Sequence, residues 1–156
     1  MHVRSLKLIA LACCFTIAGA LSCTADEGEI NDARTKIKLP SDIEKKMLVN
    51  MRDHIRALDD IIHAVQAGEF DKAEGIAESR LGWSSLVRQG DLEVAKHWPE
   101  PMQKMADQMY RTASDFVIVS QNASVEDSKE SYQKVIAALG EVTSACRGCH
   151  EAYRVH

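Results

Sequence analysis

The chain has 156 residues, of which 19 are lysine or arginine and 23 are aspartate or glutamate, so its formal charge is −4. This length suits one domain with its own hydrophobic core. The acidic balance lacks the basic face that nucleic-acid binding requires, so we expect no nucleic-acid partner.

The first 22 residues have the pattern of an export signal. Arg4 and Lys7 precede an apolar run from Leu8 to Leu21, which is short for a membrane span. We therefore interpret residues 1–22 as a signal sequence and expect an exported, periplasmic protein.

Two processing sites are compatible with this segment. Ala18-Gly19-Ala20 suits an ordinary signal peptidase, whereas Leu21-Ser22-Cys23 resembles a bacterial lipoprotein signal. In the second case Cys23 carries lipid, and residues 23–40, which are polar and charged, form a flexible tether. The first alternative predicts a soluble protein, and the second predicts one that meets the membrane through its lipid anchor.

Residues 41–156 are predicted to form the folded domain, beginning with a long helix. Ser41 and Glu44 can form a capping box at its start, and Gly68 is expected to end it. Apolar residues and one histidine recur at intervals of three or four and share one face of this helix: Ile43, Met47, Met51, His54, Leu58, Ile61 and Val65.

Three further helices are predicted along the domain. A short one runs from about Asp71 to Leu81 and is followed by a long loop, residues 82–98. A third begins near Pro99 and ends near Asn122, and a fourth opens at Ser124. No stretch alternates long enough to indicate a strand. The pattern predicts an all-α protein, and four amphipathic helices favour an antiparallel four-helix bundle.

The last predicted helix carries the sequence Cys146-Arg147-Gly148-Cys149-His150. Two cysteines three positions apart with a histidine directly after them have the spacing that attaches haem c. The thiols add to the haem vinyl groups and the imidazole binds the iron. The motif predicts one covalent haem c.

Other functions of such a cysteine pair fit this chain less well. A thioredoxin-like redox pair belongs beside a βαβ pattern, and a zinc site needs two more ligands at comparable spacing. A structural disulfide closing so small a loop would constrain the unfolded chain little, and it would leave His150 unexplained. Haem attachment accounts for all three residues.

The motif and the residues that follow it, Glu151-Ala152-Tyr153-Arg154, resemble the C-terminus of the class II cytochromes c, the cytochrome c′ family and its methionine-ligated relatives. Similarity in architecture covers residues 41–156. The specific part of the resemblance is the nine residues from Cys146 to Arg154. Met51-Arg52-Asp53-His54, the Leu81-Gly82 break and the methionine-rich third helix are also similar to an exported branch of that superfamily. The resemblance implies a four-helix bundle with haem c on the C-terminal helix.

The same resemblance implies roles for individual residues. Cys146 and Cys149 would form the thioether bonds, His150 would be the proximal iron ligand, and Arg154 would lie close to His150. Tyr153 would pack on the proximal side. Relatives often form dimers through their first helices, so a homodimer is a further expectation, whereas the redox partner protein remains unidentified.

The distal iron ligand comes from the first helix in this family. The chain offers Met47, Met51 and His54 on one helical face. We favour Met51, with Met47 or His54 as the alternatives. All three also have simpler interpretations as core packing.

Two functions follow from these alternatives. With a sixth ligand the protein is an electron carrier, since the iron stays six-coordinate in both oxidation states. With the methionines only packing over the haem, the protein is a five-coordinate binder of nitric oxide or carbon monoxide. We expect the electron carrier and no enzymatic activity.

Overall fold

Six α-helices form most of the residues that the computed structural model describes, which are residues 32–156: α1 (Ser41–Gln66), α2 (Phe70–Arg80), α3 (Trp83–Arg88), α4 (Asp91–Ala95), α5 (Glu100–Glu126) and α6 (Lys129–Ala152). The predicted all-α class is confirmed. The signal sequence, Cys23 and the first part of the predicted tether lie outside the described residues. None of the helices in this part of the chain is long and apolar enough to span a membrane.

The segment predicted as a long loop, residues 82–98, contains the two short helices α3 and α4. Gly90 joins them in the left-handed region with φ of +70°, where a residue without Cβ is favoured. The turn places Asp91 and Val94 in the interior. The helical period was missed because each helix is at most two turns long.

Both predicted helix starts that relied on a serine cap need correction. Pro40 precedes α1 and no side chain caps it, so the predicted Ser41–Glu44 capping box is wrong. The helix α5 continues past Ser124, and α6 begins only at Lys129. There Ser128 Oγ accepts from the Ser131 amide at 3.0 Å, and Ser131 Oγ accepts from the Ser128 amide at 3.0 Å.

A short parallel pairing joins the beginning and the end of the folded unit Ala33–His156. Strand β1 (Thr35–Lys36) pairs with β2 (Tyr153–Arg154), and the Ile37 amide donates to the Arg154 carbonyl at 2.8 Å. Ile37 is buried. Residues 33–40 are therefore ordered against the C-terminus, in contrast to the predicted tether 23–40, and Tyr153 belongs to a strand instead of the last helix.

The closest backbone packing is of α5 on α6, of α2 on α5 and of α1 on α2. Two groups of buried apolar side chains lie between the helices. The larger, which we call the filled core, draws on α1, α2, α5 and α6 and includes Ala57, Ile61, Phe70, Ala77, Leu81, Ala113, Phe116, Val135, Leu139 and Val142. The smaller, which we call the cavity cluster, contains Ile37, Met47, Val94, Trp98 and Met102, with Met51, Cys149 and Tyr153 packed against it.

Candidate functional site

A cavity of about 280 Å³ lies beside the cavity cluster, and α1, α5 and α6 all contribute to its wall. Its volume is close to the lower limit of about 300 Å³ for small-molecule sites. The wall is mainly apolar, and its floor includes Leu81 and Val142 from the filled core. The cavity is therefore of the size and character that suit an apolar ligand.

The helix α1 contributes one continuous stripe to this wall. Met47, Met51, His54 and Leu58 all line the cavity, as their spacing of three or four residues requires. Met47 and His54 are buried and Met51 is half-buried. The sequence correctly predicted that these side chains share a face, and the structure directs that face at the cavity.

The motif on α6 also lines this cavity. Cys146, Cys149 and His150 all line it, and the two half-buried cysteines lie one helical turn apart as free thiols. Burial raises the pKa of both thiols, so they are protonated at neutral pH. A reactive redox cysteine has a lowered thiol pKa instead, which weighs against a thioredoxin-like function.

His150 lies near the end of α6 with an exposed side chain. Its backbone carbonyl accepts a hydrogen bond from Arg34 Nη1 at 3.3 Å. This bond, together with the β1–β2 pairing, joins the segment before α1 to the turn of α6 that carries the motif. The position of His150 is thus set from both ends of the folded unit.

Five sulfur-containing or aromatic side chains from α5 and its entry complete the wall: Trp98, Met102, Met105, Met109 and Tyr110. The methionine stripe was predicted as core, and Met102 and Met109 are indeed buried. Methionine is flexible and polarisable, so such a wall can adapt to a large planar ligand. Trp98, which the sequence placed in a loop, has an indole Nε1 that is buried without a hydrogen-bond partner among residues 32–156.

A buried polar network lies behind His54. The Asp91 carboxylate is 2% exposed and accepts hydrogen bonds from Asn50 Nδ2 and, at 3.0 Å, from the Tyr110 hydroxyl. Burial raises the pKa of Tyr110, and the adjacent Asp91 raises it further, so the phenol remains a donor. The carboxylate is therefore held by two neutral donors close to the histidine.

Gln89 connects this network to a second carboxylate. Its Nε2 donates to Asp53 Oδ2 at 3.1 Å and to the Arg80 carbonyl at 3.3 Å. Arg80 also binds Asp53 through two nitrogens, at 2.6 and 3.0 Å, and Asp60 at 2.7 Å. The side-chain hydrogen bond from Arg80 is the main cause of the lowered pKa of Asp53. Asp53 is thus an ionised, fixed acceptor for Gln89.

His54 itself is 7% exposed, and its Nε2 has no hydrogen-bond partner in the described part of the chain. Burial lowers the pKa of this histidine; Asp91 and Gln89 act in the opposite direction, and His150 lowers it again. Burial therefore favours the neutral imidazole. A neutral imidazole has one nitrogen with an unprotonated lone pair, which is what a metal binds.

Two arginine side chains contribute positive charge to the lining of the cavity. Arg34 and Arg154 line it together with His156 and Val155. Arg154 is half-buried in β2, next to Tyr153, which also lines the wall. A ligand with an apolar body and carboxylates at one edge would match this distribution of charge.

These residues fit a haem attached through the motif. Both thiols and His150 line one mainly apolar cavity, His54 on α1 also lines it and has a buried ring nitrogen without a partner among residues 32–156, and two arginines complete the lining. Within residues 32–156 no three histidine, cysteine, aspartate or glutamate side chains converge as a ligand set for a metal ion. The structure thus gives no support to a zinc site.

All seven residues singled out in the sequence line this cavity: Met47, Met51, His54, Cys146, Cys149, His150 and Arg154. Asn50, Gln89, Asp91 and Tyr110 were missed. Asn50 had a detectable signal, because it lies four residues before His54 and therefore on the same side of α1. Gln89 and Asp91 had none, since they belong to a segment without a helical period.

Comparison with protein-family models, curated proteins and solved structures found no match to this chain.

Proposed function

We propose that the protein is a c-type cytochrome that carries electrons through one haem c bound at Cys146 and Cys149, with His150 as the proximal iron ligand. The proposal rests mainly on one observation: the two half-buried thiols and the imidazole of a haem-attachment motif line the same mainly apolar cavity. A bound haem supplies a one-electron couple between ferric and ferrous iron. We propose no enzymatic activity.

The protein side chains have separate tasks in this proposal. The thiols of α6 would hold the haem covalently, and the methionines of α1 and α5, which line the same cavity, would exclude water from it. An apolar surrounding and limited solvent access help to set the reduction potential. Arg34 and Arg154, at the rim, are placed to neutralise carboxylates at the haem edge. The sixth ligand would come from Met47, Met51 or His54 on α1.

We further infer that α1, α2, α5 and α6 form an antiparallel four-helix bundle. The connections from α1 to α2 and from α5 to α6 are two or three residues long, and such short turns favour antiparallel neighbours. In this arrangement α1 and α6 face each other across the cavity. The inference supports a haem held between the first and last helices.

We also propose an exported protein. The signal sequence 1–22 directs the chain to the periplasm, where it is either soluble or anchored by lipid at Cys23. Haem attachment to a cysteine pair takes place in that compartment. The redox partner would be another periplasmic or membrane-associated protein, and a homodimer is a further expectation.

Absorption spectroscopy of the protein matured in a host that attaches haem c tests the function. We expect sharp low-spin bands in the oxidised and reduced forms and no change when carbon monoxide is added to the reduced form. A high-spin spectrum that shifts with carbon monoxide would instead indicate the five-coordinate gas binder. The absence of any haem band, with the protein folded, would contradict both.

A further inference from the structure

Two neighbouring polar atoms behind the cavity are buried without hydrogen-bond partners among the described residues: His54 Nε2 and Gln89 Oε1. Burial lowers the pKa of His54, and a side-chain interaction with Gln89 raises it, so the two side chains are adjacent. A buried polar group without a partner lowers stability. His54 lines the cavity and Gln89 lies behind it, so the imidazole is the group of this pair that a bound ligand can reach.

The orientation of the Gln89 amide follows from its other contacts. Its nitrogen lies 3.1 Å from Asp53 Oδ2 and 3.3 Å from the Arg80 carbonyl, and both of these are acceptors. The amide nitrogen must therefore be on that side, and the oxygen is left as an acceptor beside the imidazole. Arg80 fixes Asp53 through a bidentate ion pair, so the whole arrangement is rigid.

An imidazole beside such an acceptor is prepared to bind a metal. Histidine ligands commonly donate their second ring N–H to an oxygen, which fixes the tautomer and increases the basicity of the other nitrogen. Gln89 Oε1 can accept from one nitrogen of His54, and the other nitrogen then has a free lone pair. His54 lines the same cavity as His150.

We propose that His54, and not a methionine, is the sixth iron ligand, and that Gln89 is the residue that positions its imidazole. This inference rests on the proposed haem c function and specifies its site. His54 thus takes the place of Met51, the ligand that the sequence favoured. The two iron ligands from the protein are then both histidines, His54 and His150.

Met47 and Met51, unlike His54, do not need a polar partner when they are buried. Met47 is buried within the cavity cluster and Met51 packs against it, so apolar contacts already satisfy both side chains. A thioether is at most a weak hydrogen-bond acceptor and loses little when buried. His54 is the polar member of the stripe. With Gln89 as the acceptor for one ring nitrogen, coordination of iron would give the other nitrogen a partner.

Matched substitutions on α1 test the ligand. In haem-loaded protein, His54→Leu should change the low-spin spectrum to a high-spin one and allow carbon monoxide to bind the ferrous form, whereas Met51→Leu and Met47→Leu should leave the low-spin spectrum unchanged. The near-infrared band of the oxidised wild-type protein should have the position of histidine–histidine ligation, and the spectrum should lack the weak sulfur-to-iron band at the red edge that indicates methionine ligation.

A second variant keeps the test decisive if His54→Leu folds poorly. His54→Gly opens space for free imidazole, and adding imidazole should restore the low-spin spectrum. Helical circular dichroism, measured on each variant, separates ligand loss from unfolding. Failure of imidazole to restore the spectrum of a folded His54→Gly protein would overturn the proposal.

The positioning role of Gln89 has its own readout. Gln89→Met keeps the volume of the side chain but removes the acceptor, so the iron should lose His54 more readily. We expect the ferrous protein to bind carbon monoxide roughly tenfold or more tightly than wild type does, together with a more positive midpoint potential. Gln108→Met, at an exposed position of α5, is the control and should change neither quantity.

The outcomes distinguish this inference from the function on which it rests. Wild-type protein without covalent haem would contradict the proposed function. Covalent haem with a spectrum that changes in Met51→Leu or Met47→Leu, but not in His54→Leu, would leave the cytochrome intact and overturn the histidine ligand. An unchanged carbon monoxide affinity in Gln89→Met would overturn the positioning role.

Discussion

The filled core and the cavity cluster share helices but differ in how they occupy space. In the filled core, small alanines alternate with Phe116, Ile61 and Val135, all of them less than 2% exposed. The cavity cluster uses methionines and Trp98, and it borders about 280 Å³ that these side chains do not fill. Protein interiors normally pack without such voids. The contrast indicates that one end of the molecule provides stability and the other provides a binding site.

The two regions also differ in their polar side chains. Four polar residues lie near the cavity, of which Asn50, His54 and Asp91 are buried and Gln89 is half-buried. Asn50 Nδ2 donates to the Asp91 carboxylate and to the Gln89 carbonyl and so connects them in a network. Networks of this kind position side chains when each member has its partner. His54 Nε2 and Gln89 Oε1 lack one among the described residues, and of these two side chains only that of His54 lines the cavity. His54 is thus the member of this pair that a ligand in the cavity can reach.

Loss of the two thiols should abolish haem attachment and leave the filled core unchanged. Replacing both Cys146 and Cys149 by serine should abolish covalent haem, because no thioether can form, while the filled core remains intact. Haem staining of the denatured protein after electrophoresis measures the attachment. Ser144→Ala, at an exposed position of the same helix, should stain like wild type.

A truncation in the filled core should lower the stability of the protein but leave its haem spectrum nearly unchanged. Phe116→Ala removes a side chain that is 0% exposed and should lower the free energy of unfolding by about 3–5 kcal/mol, with little change in the haem spectrum. Met102→Ala, beside the cavity, should lower it by about 2 kcal/mol and alter the spectrum. Urea unfolding gives both energies, and equal spectral changes in the two variants would remove the distinction between the regions.

Glu78 provides a smaller effect that depends on pH. Burial acts to raise the pKa of Glu78, but hydrogen bonds from Ser84 and Ser114, at 3.0 Å to the Ser84 amide and 2.7 Å to the Ser114 hydroxyl, leave it below its ordinary value. Its stabilisation is therefore present above the pKa of the unfolded chain and is lost as the pH falls through the lower folded pKa. Glu78→Gln should lower stability by about 1.5 kcal/mol at pH 7.

The check on Glu78 is urea unfolding of both proteins over a range of pH. The difference between wild type and Glu78→Gln should shrink as the acid range below the ordinary glutamate pKa is entered. A difference that stays constant over that range would show that Glu78 acts through packing and not through its charge.

The smallest expected effect concerns the cap of α6. Ser128→Ala removes an oxygen that accepts from the Ser131 amide and should lower stability by about 1 kcal/mol. Ser124→Ala is a close control, because Ser124 lies within α5 and its hydroxyl bonds the Gln121 carbonyl of the same helix. Thermal unfolding should detect the first change and not the second, and the haem spectrum should be the same in both variants.

The long helices and most of the cavity wall could be predicted from the sequence. The face of α1 that carries Met47, Met51 and His54 was visible because buried residues recur with the helical period over 26 residues. The β1–β2 pairing could not be predicted, because each strand has only two residues and therefore shows no alternation of apolar and polar side chains. Ser124 and Ser128 are both plausible caps, and only the tertiary structure decides between them.

The cavity itself could not be predicted from the pattern. A methionine stripe such as Met102, Met105 and Met109 looks the same whether its neighbours fill the space or leave it open. The contact between α1 and the turn around Gly90 is equally hidden, because Asn50 and Asp91 are 41 residues apart and no local rule joins them. Long-range packing, not local propensity, determines both features.

We have proposed that the cavity beside Cys146 and Cys149 holds a covalently bound haem. The intact mass of the protein, purified from a host that attaches haem c and measured under denaturing conditions, tests this attachment. We expect the mass of the processed polypeptide plus one haem, with both cysteines blocked to alkylation. The mass of the polypeptide alone, with both thiols free to react, would contradict it.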